Sequence, residues 1–254
     1  GNKNGLSSPQ LVDLNSDSVV DVIYAGDLQG NMWAFDVSNA SASNWSTRKL
    51  FTAEDSSGNA QPITTAPLAA INPNDATPST AATPNLLIMF GAGKYLESTD
   101  SSTTDTMTYY TVWDNGTNNL SRTNLESREV VTSSNTRTVN GSAIDWSSQY
   151  GWHMDLLNIT STNGTATQEG ERVVSDSLLR RTVLFFNTMI LDSSGQACSS
   201  NGSGWLMSLD FDSGLAPSFS VFDANGDGTI DSSDIGSAGS KYTRGLPSKS
   251  GILG

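Results

Sequence analysis

Two short stretches of this chain carry oxygen-bearing side chains at intervals suited to wrapping a hard cation. Residues 223–234 read Asp-Ala-Asn-Gly-Asp-Gly-Thr-Ile-Asp-Ser-Ser-Asp. Asp223, Asn225 and Asp227 stand at loop positions 1, 3 and 5, Gly228 at 6, Thr229 at 7, Asp231 at 9 and Asp234 at 12. Calcium takes about six to eight oxygens, and this spacing curls a short backbone around one ion. Asp223, Asn225 and Asp227 supply side-chain oxygens and Thr229 its carbonyl, Asp231 ligates directly or through water, and Asp234 closes the shell. Gly228 permits the sharp turn, and Ile230 is expected to anchor the loop by apolar packing. A hydrophilic Asn/Asp/Gly turn without metal is the plain alternative.

Residues 13–21, Asp-Leu-Asn-Ser-Asp-Ser-Val-Val-Asp, are a shorter version, with Asp13, Asn15, Asp17, the Val19 carbonyl and Asp21 as donors. Ser18 stands at the glycine position, and Tyr24 at the twelfth position cannot close the shell. Water, or an oxygen from elsewhere in the fold, is therefore expected to complete it. This loop runs straight into Val-Ile-Tyr-Ala, a strand pattern, and neither loop is flanked by two amphipathic helices. Both read as calcium-stapled loops rather than helix-pair switches.

The elements that must position these loops are β-strands. Segments 20–25, 31–37, 85–90, 107–113, 182–191 and 204–210 are short, rich in β-branched and aromatic residues, and bounded by Gly/Asn/Asp/Ser turns. Helical periodicity is almost absent, the best candidate being a short helix near 232–237. Apolar strands end repeatedly in aspartate, at Asp36, Asp114, Asp155 and Asp210. Their irregular steps straddle the ~40–50 residues of a propeller blade, which favours a propeller over a sandwich. The Ser/Thr/Asn-rich stretches 38–48, 98–106, 115–123, 132–143 and 158–168 read as surface insertions, where recognition is often carried. A closed propeller takes about four to eight blades, and this chain has material for only part of a ring.

Composition narrows the function classes. Thirteen basic residues stand against 26 acidic ones, for a net charge of −13 over 254 residues. Nucleic acid and anionic membrane are poor partners for such a surface, because counterion release needs clustered Lys/Arg. No apolar run is long enough to span a bilayer. The start at Gly1, without methionine or leader, reads as a mature or excised segment, and calcium loops point to the extracellular side. Cys198 is the sole cysteine, which excludes an internal disulfide. No catalytic site is expected. His153, the only histidine, lies in a strand between Trp152 and Met154 and reads as a hydrogen-bonded structural residue. Asp192 and Asp212 read as turn residues without a partner carboxylate, and Lys94-Tyr95 after Gly91-Ala92-Gly93 lacks the spacing and the helix of a phosphate loop.

In several ordered stretches the chain resembles the C-terminal region of the PilC/PilY family of type IV pilus tip and biogenesis proteins. They are 9–36 (Pro-Gln-Leu-Val-Asp-Leu-Asn-Ser-Asp through Gly-Asn-Met-Trp-Ala-Phe-Asp), 89–97, 109–116, 170–176, 204–210 and the 222–234 loop. The resemblance implies an all-β, modified, partial β-propeller over 1–254, a fragment of a larger protein whose N-terminal part is absent. It implies a calcium site of the Asp-x-Asn-x-Asp-x-x-x-Asp type at Asp13, Asn15, Asp17, Val19 and Asp21. It further implies control of pilus extension against retraction, adhesion and twitching motility, with minor pilins of the pilus tip complex and a host or abiotic surface as partners. The implied location is the extracellular pilus tip of a Gram-negative bacterium. No Arg-Gly-Asp triplet occurs, since Arg244-Gly245 precedes Leu246.

Two other readings compete. Residues 25–33 resemble the tryptophan-docking motif of quinoprotein dehydrogenase propellers, which also use calcium, but no vicinal cysteine pair or cofactor-stacking constellation accompanies them. A calcium-stabilised extracellular adhesion module without a pilus role is the other. A dockerin is disfavoured because its two loops lie close together in sequence, whereas these lie near opposite ends of the chain.

Overall fold

The computed structural model describes residues 4–160, 164–191 and 202–242. Four strands open the chain: β1 (Gln10–Val12), β2 (Val22–Gly26), β3 (Asn31–Asp36) and β4 (Ser46–Thr52). β5 (Leu68–Ile71), β6 (Leu86–Gly91), β7 (Thr108–Asp114) and the two-residue β8 (Leu120–Ser121) follow. Then come β9 (Glu126–Ser133), β10 (Thr136–Asn140), β11 (Gly151–Asp155), β12 (Asn158–Ile159) and β13 (Ala166–Thr167). β14 (Leu178–Arg180), β15 (Val183–Asn187), β16 (Gly204–Asp210) and β17 (Gly239–Tyr242) complete the set.

β1-β2-β3-β4-β8 form one sheet, β12-β13 pair separately, and ten strands form the other sheet in the order β14-β15-β16-β17-β10-β9-β11-β7-β6-β5. Backbone bonds bring the two ends of this long sheet together. The Val173 amide donates to Ala92 at the end of β6 at 3.0 Å, while Arg172 and Met189, just after β15, exchange amide bonds of 3.0 and 2.8 Å. Ahead of the two edge strands, the Ala66 amide donates to Asp176 Oδ1 at 3.1 Å. Gly91 allows the approach: a Cβ there would lie 2.4 Å from Val173 Cβ.

Alternation explains the half-buried strands, and continuous apolar character the central ones. β7 (Thr-Tyr-Tyr-Thr-Val-Trp-Asp) is buried along its whole length, as befits a strand covered on both faces. Tyr110 packs with Phe51 and Phe90 at ring distances of 5.0 and 5.3 Å, and Tyr109 stacks on Phe186 at 4.0 Å. In the β2–β3 hairpin, Asp27 gathers the amides of Gln29 and Asn31 and the Trp33 indole, each at 2.9 Å. Burial pushes the Asp27 carboxyl up, but these donors together pull it below its ordinary range.

The strands anticipated at 20–25, 31–37, 85–90, 107–113 and 204–210 are present within a residue or two. Asp36, Asp114, Asp155 and Asp210 each end a strand. Three expectations need correcting. Residues 132–143 are no insertion: β10 pairs with β9 and β17 and buries Arg137 and Val139. The Arg137 guanidinium holds Glu171 by two bonds of 2.6 and 2.7 Å and lies 4.1 Å over the Trp205 ring, so an arginine fills a core position that polar composition disguised. Strand 182–191 stops at Asn187, and the helix expected near 232–237 is a single 3-10 turn, Ser232–Asp234. Among the described residues, no helix is long and apolar enough to cross a membrane.

Candidate metal-binding loops

The two Asp/Asn loops fold alike. Asp13 accepts the amides of Ser16 and Ser18, each at 2.7 Å. Asp223 accepts those of Gly226 and Gly228 at 2.7 and 2.9 Å. Asn15 and Asn225 each accept the amide two residues on, at 2.9 Å. Asp17 and Asp227 accept those of Val19 and Thr229 at 2.8 and 2.9 Å. The backbone turns left-handed at the same two positions, with φ +77° and +89° at Gly226 and Gly228 and +62° and +70° at Ser16 and Ser18. Serine thus adopts at 16 and 18 a conformation that glycine adopts without steric cost.

The loops differ in how they close. Asp21 Oδ2 accepts the Leu14 amide at 2.8 Å, and Asp234 Oδ1 accepts the Ala224 amide at 2.8 Å. Both carboxylates are buried. The ninth residue of the short loop therefore occupies the role of the twelfth in the long one. Asp231, ninth in the long loop, instead caps the 232–234 turn through the Ser233 amide at 2.8 Å and is exposed. Ile230 is also misjudged by sequence: it is 59% exposed and anchors nothing.

Electrostatics favour the ionised carboxylates. Burial nudges Asp13 up, but the amides of Ser18, Ser16 and Asn15 outweigh it and hold its pKa below the ordinary value. Thr229 lowers that of Asp227 and Ser233 that of Asp231. Every side chain in both donor sets offers hard oxygen, and a carboxylate has about four acceptor sites, so amide bonding leaves capacity for a cation. Among the described residues, however, no three or more His, Cys, Asp or Glu side chains converge as a metal cage. The residues fit calcium in donor chemistry and backbone path, with Asn side chains and the Val19 and Thr229 carbonyls needed to complete either set.

Other candidates resolve into structural roles. His153 Nε2 lies 3.0 Å from Arg122 Nη2, and Arg122 also grips Asp155 at 3.0 and 3.1 Å. Arginine only donates, so Nε2 accepts and the ring proton sits on Nδ1, which is buried and has no hydrogen-bond partner among the described residues. Burial, then the Arg122 charge, lowers the His153 pKa to about 4. Lys94 pairs with Asp100 at 3.0 Å. Asp212 accepts from Asn74 Nδ2 at 2.8 Å, and burial, then the neighbouring Asp212 carboxyl, raises the Asp210 pKa to about 6. Cys198, Asp192 and the Arg244–Leu246 segment lie outside the described residues.

A nearly closed long sheet with a second sheet beside it, and an oxygen-rich loop feeding each, defines an all-β, propeller-derived protein. The model of the PilY1 β-propeller domain matches residues 1–139, and the chain belongs to that family. Over 277 aligned residues it is 30% identical to the type IV pilus biogenesis factor PilY1 of Pseudomonas aeruginosa, covering 91% of this chain and 22% of that protein. A PilY1 homologue of Xylella fastidiosa is 31% identical, with 84% of this chain and 14% of that protein covered. The chain thus spans about a fifth or less of these relatives. The crystal structure of the P. aeruginosa PilY1 C-terminal domain superposes with a TM-score of 0.77 at 29% identity, covering 96% of this chain and 56% of that one.

Proposed function

We propose that this chain is a calcium-stapled, non-catalytic segment of a type IV pilus biogenesis factor, acting at the extracellular pilus tip. The likeness to PilY1 along nearly the whole chain carries the reading. Asp13, Asn15, Asp17, Asp21 and the Val19 carbonyl would hold one calcium. Asp223, Asn225, Asp227, Asp234 and the Thr229 carbonyl would hold another, with Asp231 reaching it through water. A bound cation neutralises neighbouring carboxylates that otherwise repel.

The first loop connects β1 to β2, and the second leads into β17, which lies between β16 and β10. Calcium loss would loosen both attachments, and the pilus machinery would read that release as a switch between extension and retraction. Minor pilins, and a host or abiotic surface met during adhesion and twitching, are the partners this reading implies.

The test places Asp17→Ala and Asp227→Ala in the full-length parent on piliated cells, followed by immunogold labelling, pilus counts and calorimetric calcium titration. Gold at pilus tips, with retraction altered in folded, calcium-deficient variants, supports the reading. Gold spread over the envelope overturns the pilus assignment. Unchanged calcium affinity overturns the loop assignment, and normal retraction despite lost binding reduces calcium to a structural role.

A further inference from the structure

At one edge of the long sheet, Ile71 at the end of β5 pairs with Leu86 at the start of β6, and Leu86 with Asp114 at the end of β7. The segment joining β5 to β6 and the turn after β7 frame a pocket there of about 200 Å³. Its lining is Asp75, Thr77, Thr83, Asn85, Trp113 and Asn115. That volume lies below the roughly 300–1,000 Å³ of pockets for drug-sized ligands and suits a single small ring.

The walls are tied to one another before any ligand arrives. Asn85 is buried, in the left-handed conformation at φ +51°. Its Nδ2 donates to the Asp75 and Thr77 carbonyls at 3.1 and 2.9 Å, and its Oδ1 accepts the Trp113 indole at 2.9 Å. Its own carbonyl accepts the Asn72 amide at 3.0 Å. The Trp113 ring is braced by Trp146, edge-on at 5.9 Å, and by Tyr150 at 6.1 Å. Gly116, at φ +92°, lets the turn after β7 press on the β5–β6 segment, since a Cβ there would lie 2.6 Å from the Ala82 carbonyl.

This bracing decides what each lining residue has left to offer. Asn85 has spent its whole carboxamide on the walls. Trp113 has spent its one donor on Asn85, so its ring presents only carbon. Asp75 Oδ1 accepts the Thr77 amide at 2.7 Å, and a carboxylate with about four acceptor sites keeps capacity for more. Asn115 Oδ1 accepts the Thr117 amide at 3.2 Å, which leaves its amide nitrogen with two donors to give. The Thr83 hydroxyl lies 2.9 Å from that of Thr80.

We propose that this pocket binds the terminal neutral sugar ring of a glycan. A pyranose has an apolar C–H face and hydroxyls that both donate and accept. The pocket offers aromatic carbon at Trp113, acceptors at Asp75 and donors at Asn115, the mix of apolar surface and a few fixed polar groups that orients a small ligand. Asp75 is the one charged residue in the lining, so phosphorylated, sulfated and carboxylated sugars are disfavoured. The pocket gives the surface partner of the proposed function a chemistry, and its part in adhesion rests on that reading. Sugar binding itself uses residues outside both calcium loops.

The test is saturation-transfer difference NMR on the purified full-length parent. The probes are the methyl glycosides of mannose, galactose, glucose and N-acetylglucosamine, with methyl glucuronide and methylammonium as charged controls. The expected result is transfer to at least one neutral glycoside and none to the glucuronide. Asp75→Ala and Asn115→Ala should each weaken that binding by about tenfold in protein that stays folded by circular dichroism. Absence of transfer to every neutral glycoside overturns the proposal, as does unchanged binding by both folded variants. Displacement of the sugar by methylammonium also overturns it, since the pocket is then a cation site at Asp75. If either variant fails to fold, Thr83→Leu fills the pocket from an exposed position: lost transfer supports the proposal and retained transfer overturns it. Because binding is read on purified protein, failure here leaves the pilus assignment to be decided by the gold labelling.

Discussion

Asp21 and Asp234 perform the same task from different positions in their loops. Each is buried and accepts the amide of its loop's second residue at 2.8 Å. The backbone of one loop is shut by its ninth residue and that of the other by its twelfth.

Calcium affinity should therefore depend on Asp234 more than on Asp231. Asp234 also accepts the Asn225 and Asp231 amides at 3.2 and 3.0 Å, whereas Asp231 faces solvent and caps a turn. Calorimetric titration should show Asp234→Ala weakening the second site by about tenfold or more, with Asp231→Ala having a smaller effect. An equal loss from both would place Asp231 directly on the ion.

The serines at left-handed positions make an opposite-sign pair of variants. Ser18→Gly should stabilise the chain by about 0.5 kcal/mol, because relief of the left-handed strain exceeds the added chain entropy. Gly228→Ala should destabilise it by about 1 kcal/mol. Nothing lies within 4 Å of a Cβ at Gly228, so the cost is conformational alone. Urea unfolding of both variants, with and without calcium, measures the difference.

Breaking the buried Arg137–Glu171 pair should be costly. Both side chains are 1% exposed or less, and removing one partner leaves an uncompensated charge in the core. Glu171→Ala should lose about 3–5 kcal/mol, while the double change Arg137→Met/Glu171→Leu should recover much of it. Denaturation midpoints of the three proteins decide whether the charge or the packing is responsible.

Acid should destabilise the fold through His153. Its pKa falls on folding to about 4, so the unfolded chain takes up the proton more readily. The stability it contributes is complete above its ordinary value of 6.5 and is lost as pH falls towards 4. This trend opposes that of Asp210, which weakens the fold as pH rises through about 6. Melting curves of His153→Gln should drop less steeply than wild type over the acid window, and parallel curves would show that His153 titrates normally.

Gly91→Ala should destabilise the sheet closure, since its Cβ would overlap Val173 Cβ at 2.4 Å. A loss of about 1–3 kcal/mol is expected. Hydrogen exchange of the Val173 amide, bonded to Ala92, should accelerate in the same variant.

Local pattern was enough to reveal the strands, their aspartate ends and the oxygen periodicity of both loops. Alternation, turn chemistry and fixed spacing all act within about ten residues, which is the range a sequence displays directly. The all-β class followed from it. β10 did not, because its Ser/Thr/Asn-rich surroundings look solvent-facing until Glu171 and Trp205, distant in sequence, neutralise and cover Arg137. The amide bond that Asp21 accepts from Leu14, the exposure of Ile230 and the Asn74–Asp212 bond were equally hidden. Each depends on which distant backbone or side chain arrives beside it, and only the closed arrangement of strands decides that.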